Sequence, residues 1–225
     1  MKLILAPAVL LIVALAGCAG SPAAEPSATP TPATSATPTP SATSTPEPSS
    51  FTVDGVGWSI HGLDLDSSGM WASADGAPTT DPDLAGPLSA LLGVDPTVSV
   101  EPGNPHRPDY TVYTWPGLVL GVSTHQKDDF HWNPYVVFTA PSSGTTDLRT
   151  TAGFTVGANQ GADAAAVAVA SEIDGDGNTV YYVEPDQEVP PGSSDGAWNT
   201  VLVIVDADGT VLKIVTPVVW GDNQL

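Results

Sequence analysis

The sequence predicts an α+β fold dominated by antiparallel β-sheets, with about two helices. Residues 51–225 contain 19 Asp and 4 Glu but only two Lys and two Arg. Asp prefers turns and helix caps, whereas Glu, Lys and Arg populate helix surfaces. Short runs rich in β-branched and aromatic residues recur along this region, and only two stretches have the apolar spacing of a helix.

Strands are predicted wherever β-branched and aromatic residues cluster between turn residues. The strongest runs are Tyr110–Trp115, Leu118–Ser123, 135–139, Thr179–Val183, 200–205 and 210–215. The last two flank Asp206-Ala207-Asp208-Gly209, which predicts a tight hairpin turn because Gly accepts positive φ. Weaker strand patterns cover 51–53, 57–60 and 154–156.

Two helices are predicted to cover a sheet face. The first lies within 80–92, with leucines at helical spacing, Pro82 or Pro87 in its first turn and Gly93 as its stop. The second spans 161–172 and is rich in Ala. Its predicted apolar side consists of Ala162, Ala166, Val169 and Ile173.

The order helix, strand, strand, strand occurs twice in this prediction. It suggests two tandem α-β-β-β units, at about 76–140 and 157–219. Thr111-Val112-Tyr113 and Thr179-Val180-Tyr181 fall at comparable places in the two units. A duplication is therefore an alternative to a single undivided region over 51–225.

Composition excludes several classes of protein. The chain of 225 residues has 25 acidic and 5 basic side chains and a formal net charge of -20. Nucleic-acid binding requires a basic surface, so no nucleic-acid partner is expected. The single Cys excludes an intramolecular disulfide and a zinc site built on several cysteines. No P-loop, dinucleotide-binding motif or nucleophile elbow is present, and the sequence predicts no cofactor.

The N-terminus has the pattern of an export signal. Met1-Lys2 precedes 15 uncharged, mostly apolar residues, 3–17, a run short for a membrane-spanning helix. It ends in Leu15-Ala16-Gly17-Cys18, which resembles the lipobox of bacterial lipoproteins. The resemblance implies cleavage between Gly17 and Cys18, a diacylglyceryl thioether on Cys18, and anchoring to the outer face of the cell membrane. The alternatives are an unlipidated signal peptide and a single-span anchor.

Residues 19–50 predict a disordered stalk that follows the lipidated Cys. They comprise 8 Pro, 14 Ser or Thr, 7 Ala, 1 Gly and 2 Glu, and no side chain is large enough to form a core. Stalks of this composition resemble those of actinobacterial lipoproteins. The sequence thus divides into a signal peptide over 1–17, a stalk over 18–50 and a globular region over 51–225.

The densest group of polar side chains outside the termini lies between two predicted strands. His125, Asp128, Asp129 and His131 could supply a general base or metal ligands, because imidazole and carboxylate are common in both roles. Their spacing matches no metalloenzyme signature. A solvated loop is the simpler interpretation.

A second polar motif resembles the beginning of a calcium loop. Asp174, Asp176 and Asn178 place oxygen ligands at alternate positions. Thr179 and Pro185 occupy the positions where an EF-hand has its Gly and its bidentate Glu. A turn between two secondary-structure elements is the competing interpretation.

Two further patterns allow a functional and a structural interpretation. Asp64 and Asp66 could be paired glycosidase carboxylates, or they could lie on one exposed face of a strand. Trp71, Trp132 and Trp198 lie in predicted loops. There they could stack on a sugar or a protein partner, or cap the end of a β-rich core.

These observations favour a membrane-anchored, surface-exposed lipoprotein that binds a ligand of the cell envelope. Its expected partners are the membrane, through the lipid on Cys18, and an envelope protein or glycan. The rival hypotheses are an envelope hydrolase or metal-dependent enzyme that uses the segment from His125 to His131, and a passive structural lipoprotein. Because no catalytic signature is present, binding is favoured over catalysis.

Overall fold

A computed structural model describes residues 48–71, 83–104, 108–123, 134–187 and 198–220. All of them belong to the second of the two units into which the chain divides, Thr45–Leu225. The helices are α1 (Ala85–Leu92) and α2 (Gly161–Val167). The strands are β1 (Ser50–Val53), β2 (Gly57–His61), β3 (Ser67–Met70), β4 (Thr97–Glu101), β5 (Tyr110–Trp115), β6 (Leu118–Ser123), β7 (Tyr135–Phe138), β8 (Ser142–Ser143), β9 (Thr146–Thr150), β10 (Ala170–Ile173), β11 (Thr179–Val183), β12 (Trp198–Val205) and β13 (Val211–Trp220).

Eight strands form the larger sheet, in the order β10-β11-β12-β13-β7-β6-β5-β4. Every pair of neighbours in it is antiparallel. The sheet consists of two four-stranded meanders that meet where β7 pairs with β13. The predicted fold class, α+β with mainly antiparallel sheets and two helices, is confirmed.

The two halves of this sheet share one order of elements, a helix followed by four strands. Each half contains one strand more than the sequence predicted, because β4 and β10 were not recognised. Val137 and Val215 face each other at the junction of the halves. Tyr113 lies in β5 and Tyr181 in β11, and each of these is the third strand counted outward from the junction. Each tyrosine is offset by one residue from the row of paired residues that contains Val137 and Val215, and the two offsets run in opposite directions. The two Thr-Val-Tyr triplets therefore occupy equivalent positions.

The smaller sheet has the order β3-β2-β1-β9-β8. Strand β1 pairs antiparallel with β2 and parallel with β9. One face of this sheet packs against the larger sheet, and the ring of Phe51 in β1 meets the ring of Phe138 in β7 edge to face, with centroids 5.7 Å apart.

The hydrophobic core lies between the two sheets and is extended by the helices. Phe51, Ile60 and Leu148 enter it from the smaller sheet, and Phe138 and Ile214 from the centre of the larger one. The helices contribute Leu84, Leu88, Leu91 and Ala164 to the same cluster. Both helices and the smaller sheet thus cover one face of the eight-stranded sheet.

Helix α1 follows its sequence signals. Pro87 lies in its first turn, and Gly93 ends it in the left-handed conformation (φ 63°), with its N–H donated to the Ser89 carbonyl. None of the helices among the described residues has the length and apolar character that crossing a membrane requires.

Helix α2 is shorter than predicted, and its predicted apolar face is wrong. It buries Gly161 and Ala164, whereas Ala162 and Ala166 are exposed. The chain becomes extended at Ala168, and residues 170–173 pair with β11 instead of continuing the helix. Ile173 is the one β-branched residue among these four, so the strand depends mainly on the open edge of β11, which supplies hydrogen-bond partners.

The predicted strand over 154–156 is also wrong. These residues form a loop whose Phe154 and Val156 side chains are buried in the core. The apolar pattern was therefore a sign of burial and not of strand pairing.

Candidate functional site

The outer face of the smaller sheet is polar, as expected for a surface in contact with water. The side chains on it alternate with those of the core and are Thr52, Ser59, His61, Ser68, Met70, Asp147 and Arg149. Only Met70 among them is apolar. This face gives a reference for the other outer surface of the molecule.

The outer face of the larger sheet is apolar at its centre. Six half-buried aliphatic side chains define what we call the binding face: Val112, Val119, Val137, Leu202, Ile204 and Val215. Their positions follow from the strand register, since residues directly opposite each other point to the same side of a sheet. Val119, Val137 and Val215 are consecutive neighbours across β6, β7 and β13, and Leu202 of β12 follows Val215.

The binding face is on the side of the sheet opposite the core. Leu120 and Ile214, which alternate with its members along β6 and β13, are fully buried core residues. Both described helices and all strands of the smaller sheet are on that core side. Within the described part of the chain, no helix or strand covers the binding face, and its six aliphatic side chains are half-buried. At its edges Tyr110, Val180 and Tyr182 point to the same side and are buried. A contiguous aliphatic patch of this kind is a candidate interaction surface.

One end of the binding face carries a tyrosine cluster. The Tyr135 hydroxyl donates a hydrogen bond to Glu101 Oε2 at 3.0 Å, and the Tyr135 ring packs on that of Tyr110 with centroids 5.3 Å apart. Gly121 makes room for this packing, because a methyl group there would lie less than 3.0 Å from Tyr135 ring atoms. The rigid aromatic cluster holds Glu101, on edge strand β4, at the border of the face.

The opposite edge has a similar contact. The Tyr182 hydroxyl of β11 donates a hydrogen bond to Glu172 Oε1 of β10 at 2.8 Å. Burial, this hydrogen bond and the nearby Glu172 charge raise the pKa of Tyr182 to about 12. The phenol therefore stays a donor at physiological pH, and each edge strand of the sheet holds one glutamate beside the binding face.

A partly buried polar cluster joins the smaller sheet to the larger one. Asp54, in the β1–β2 turn, accepts hydrogen bonds at Oδ1 from the N–H groups of Val56 and Gly57, at 2.8 and 2.7 Å. Its backbone carbonyl accepts from Trp71 Nε1 at 2.7 Å and from the Thr216 hydroxyl at 3.1 Å. The contacts with β13 and with Trp71 fix the position of this turn, so the role of Asp54 is structural.

Glu184 completes this cluster. Its backbone carbonyl accepts from the Gly55 N–H at 3.0 Å, and its Oε1 accepts from the Ala152 N–H at 2.7 Å. Burial raises the pKa of Glu184, and the Asp54 charge adds to this, while hydrogen bonds from Thr150 and Ala152 act in the opposite direction. The net effect is a pKa above the ordinary value of 4.5.

A raised pKa makes the stability of the fold depend on pH. The native state binds the Glu184 proton more tightly than the unfolded state, so the contribution of Glu184 to stability is greatest below about pH 4.5 and falls as pH rises through its native pKa. We expect Glu184→Gln, which cannot ionise, to lack this loss. Its melting temperature relative to the unaltered protein should therefore increase with pH over that window and then become constant.

Thermal unfolding from pH 4 to 8 (roughly the range in which carboxylates titrate) measures this difference. Asp64→Asn, at an exposed turn, is the matched control and should not reproduce it. A constant offset between Glu184→Gln and the unaltered protein at all pH values would show that Glu184 does not titrate in this way.

Several residues predicted to be functional lie outside the described residues. These are the cleavage and lipidation positions Gly17 and Cys18, and the polar group His125, Asp128, Asp129 and His131. Trp132 is also outside the described residues.

The motif that resembles the beginning of a calcium-binding loop, 174–178, forms the hairpin turn between β10 and β11. Asp174 Oδ1 accepts from the N–H groups of Asp176 and Asn178, both at 2.9 Å, and its Oδ2 accepts from Asn178 Nδ2 at 3.0 Å. Hydrogen bonds from the Asn178 side chain and backbone lower the pKa of Asp174. Both carboxylate oxygens thus hold the turn. Among the residues that the structure describes, no group of three or more His, Cys, Asp or Glu is placed to hold a metal ion.

Two structural expectations require correction. Asp64 and Asp66 lie in the connection between β2 and β3 and not on a strand, and Asp66 Oδ1 is 2.7 Å from Nδ1 of His61. Trp71 and Trp198 are 2% and 4% exposed, so neither offers its ring to a sugar or a partner. Their burial agrees with the alternative that they cap a β-rich core, whereas the prediction that Trp198 lies in a loop is wrong, because it begins β12.

The binding face itself was not predicted, although the sequence carries a signal for it. The runs 118–120 and 201–205 are apolar at every position, whereas a strand with one face in water alternates. Such runs indicate strands with two apolar faces.

Protein family models, curated proteins and solved structures were compared with this chain, and none matches it.

Proposed function

We propose that this chain is a lipid-anchored, surface-exposed binding module of the bacterial cell envelope, which contacts its partner through the binding face. The lipobox-like sequence at Leu15-Ala16-Gly17-Cys18 and the Pro- and Ser/Thr-rich segment that follows it support the anchoring. The folded region begins slightly earlier than the predicted stalk ends, because Ser49 is buried and Ser50 begins β1. A stalk of this composition would hold the folded region away from the membrane and leave its surfaces free to meet a partner.

The proposal that this protein binds a partner rests on the contrast between the outer faces of the smaller and the larger sheet. The smaller sheet presents polar side chains to water, whereas the larger sheet presents six contiguous aliphatic ones. Keeping aliphatic groups partly in water is unfavourable by about 25 cal/mol per Å². The contiguity of these side chains supports a binding role over the passive structural role.

Site-specific photo-crosslinking in intact cells tests this proposal. A photoreactive residue is placed in the full chain at Val119, on the binding face, or at Thr52, an equally half-buried position on the polar face. We expect a covalent adduct from position 119 and little or none from position 52. Val137→Asp should reduce the adduct from position 119 by about tenfold, because it buries a charge at the centre of the contact.

Thr52→Asp is the matched control and should leave the adduct unchanged. Thermal unfolding confirms that each variant is folded, and Val137→Thr, which keeps the shape of the side chain, serves if Val137→Asp is not. Equal adduct yields from positions 119 and 52, or none from either, would contradict the proposed function.

A further inference from the structure

The charges around the binding face indicate what kind of partner fits it, provided that the proposed function is right. Glu101 and Glu172 lie on the two edge strands of the larger sheet, and the register places both on the same side as the binding face. The Tyr135 and Tyr182 hydroxyls hold these carboxylates, at 3.0 and 2.8 Å. The apolar centre is therefore flanked by a fixed negative charge at each edge.

One end of the same sheet adds further negative charge. The β10–β11 and β12–β13 turns are adjacent, because Thr179 at the start of β11 pairs with Val205 at the end of β12. These turns carry four carboxylates: Asp174, Asp176, Asp206 and Asp208. Both turns follow directly from strands that contribute to the binding face or border it.

Positive charge is scarce on the same molecule. Among the residues that the structure describes, Arg149 and Lys213 are the two Lys or Arg side chains. Arg149 is on the outer face of the smaller sheet, and Lys213 is on the binding-face side, opposite Ile204. Among the described side chains on this side of the sheet, one lysine therefore stands against Glu101, Glu172 and the carboxylates of the two turns.

We propose that the binding face receives a protein whose contact surface has an apolar centre bordered by Lys and Arg side chains. The aliphatic centre supplies the burial, and the acidic border attracts and orients the basic groups of the partner. A second copy of this chain is disfavoured because two acidic borders repel each other. Anionic lipid is repelled for the same reason, and a glycan would be expected to stack on exposed aromatic rings, which the six aliphatic side chains do not provide.

The crosslinking experiment at Val119 separates this inference from the proposed function. Glu101→Gln combined with Glu172→Gln removes two charges from the border and keeps an acceptor for each tyrosine hydroxyl. Asp64→Asn combined with Asp163→Asn removes two charges from exposed positions elsewhere. We expect the first pair to lower the adduct yield about tenfold. The second pair should leave it unchanged, and added salt should lower the yield in the unaltered protein.

The identity of the crosslinked molecule is a second readout. A different protein whose crosslinked peptide combines apolar residues with Lys or Arg supports the inference. An adduct between two copies of this chain, an adduct with lipid or glycan, or a yield that neither salt nor Glu101→Gln with Glu172→Gln alters would overturn it while leaving a binding role. Failure to obtain any adduct from position 119 overturns the proposed function itself.

Discussion

Replacing Cys18 by Ala is expected to abolish lipid attachment and to release the folded region from the membrane. A diacylglyceryl group forms a thioether with the Cys18 sulfur in the proposed anchor, and Ala has no nucleophile to replace it. Two or three acyl chains give stable attachment because each buried CH₂ contributes about 0.8 kcal/mol. Labelling cells with a radioactive fatty acid and separating membranes from medium measures both effects.

Lipid labelling and membrane association should both be lost completely in Cys18→Ala. Ser21→Ala changes a nearby residue outside the lipobox-like sequence and should keep both the label and the membrane association. Unchanged membrane retention of Cys18→Ala would falsify the lipoprotein proposal and favour a single-span anchor over 3–17.

Gly55→Ala is expected to cause a large loss of stability, although it adds only one methyl group. A Cβ at position 55 would lie less than 3.0 Å from the Glu184 carbonyl oxygen, the Asn199 carbonyl oxygen and the Asp186 nitrogen. All three are backbone atoms of the larger sheet and its connections, so no side-chain rotation relieves the clash. We expect a loss of at least about 3 kcal/mol in the free energy of unfolding, at the upper end of the range for overpacking.

Chemical denaturation followed by tryptophan fluorescence measures this loss, because Trp58, Trp71 and Trp115 are all buried. Gly175→Ala is the matched control, since a methyl group there meets no atom within 4 Å. It should change stability by less than about 0.5 kcal/mol. If the two variants unfold at the same denaturant concentration, the β1–β2 turn does not pack against the larger sheet as described.

The central strands could be predicted from local sequence. Strands β5, β6 and β11 begin and end at the predicted residues. Their β-branched and aromatic composition is itself the cause of strand preference, and turn residues bound them. The β12–β13 turn likewise follows from Asp206 and Gly209, because Asp206 Oδ1 accepts from the N–H groups of Asp208 and Thr210, both at 2.9 Å.

The edge strands β4 and β10 were not predicted, and both are mostly exposed. Residues 170–173 contain one β-branched side chain and directly follow helix α2, so the Ala-rich pattern suggested that the helix continues. Residues 97–101 alternate β-branched side chains with Ser99 and Glu101. In both cases the extended conformation depends on pairing with the next strand, β5 or β11, which propensity alone does not contain.

The sequence by itself determined the class of fold and the positions of the inner strands, since strand preference depends on residues close together in the chain. The lipid anchor is proposed from the sequence alone. Only the tertiary structure decided which apolar residues are covered. Along Val201 to Val205 every side chain is apolar, so composition cannot distinguish Val203, which is fully buried, from Leu202, which is half-exposed. The distinction arises because both helices and the smaller sheet pack on one side of the larger sheet, and a side chain's position along its strand determines which side it faces.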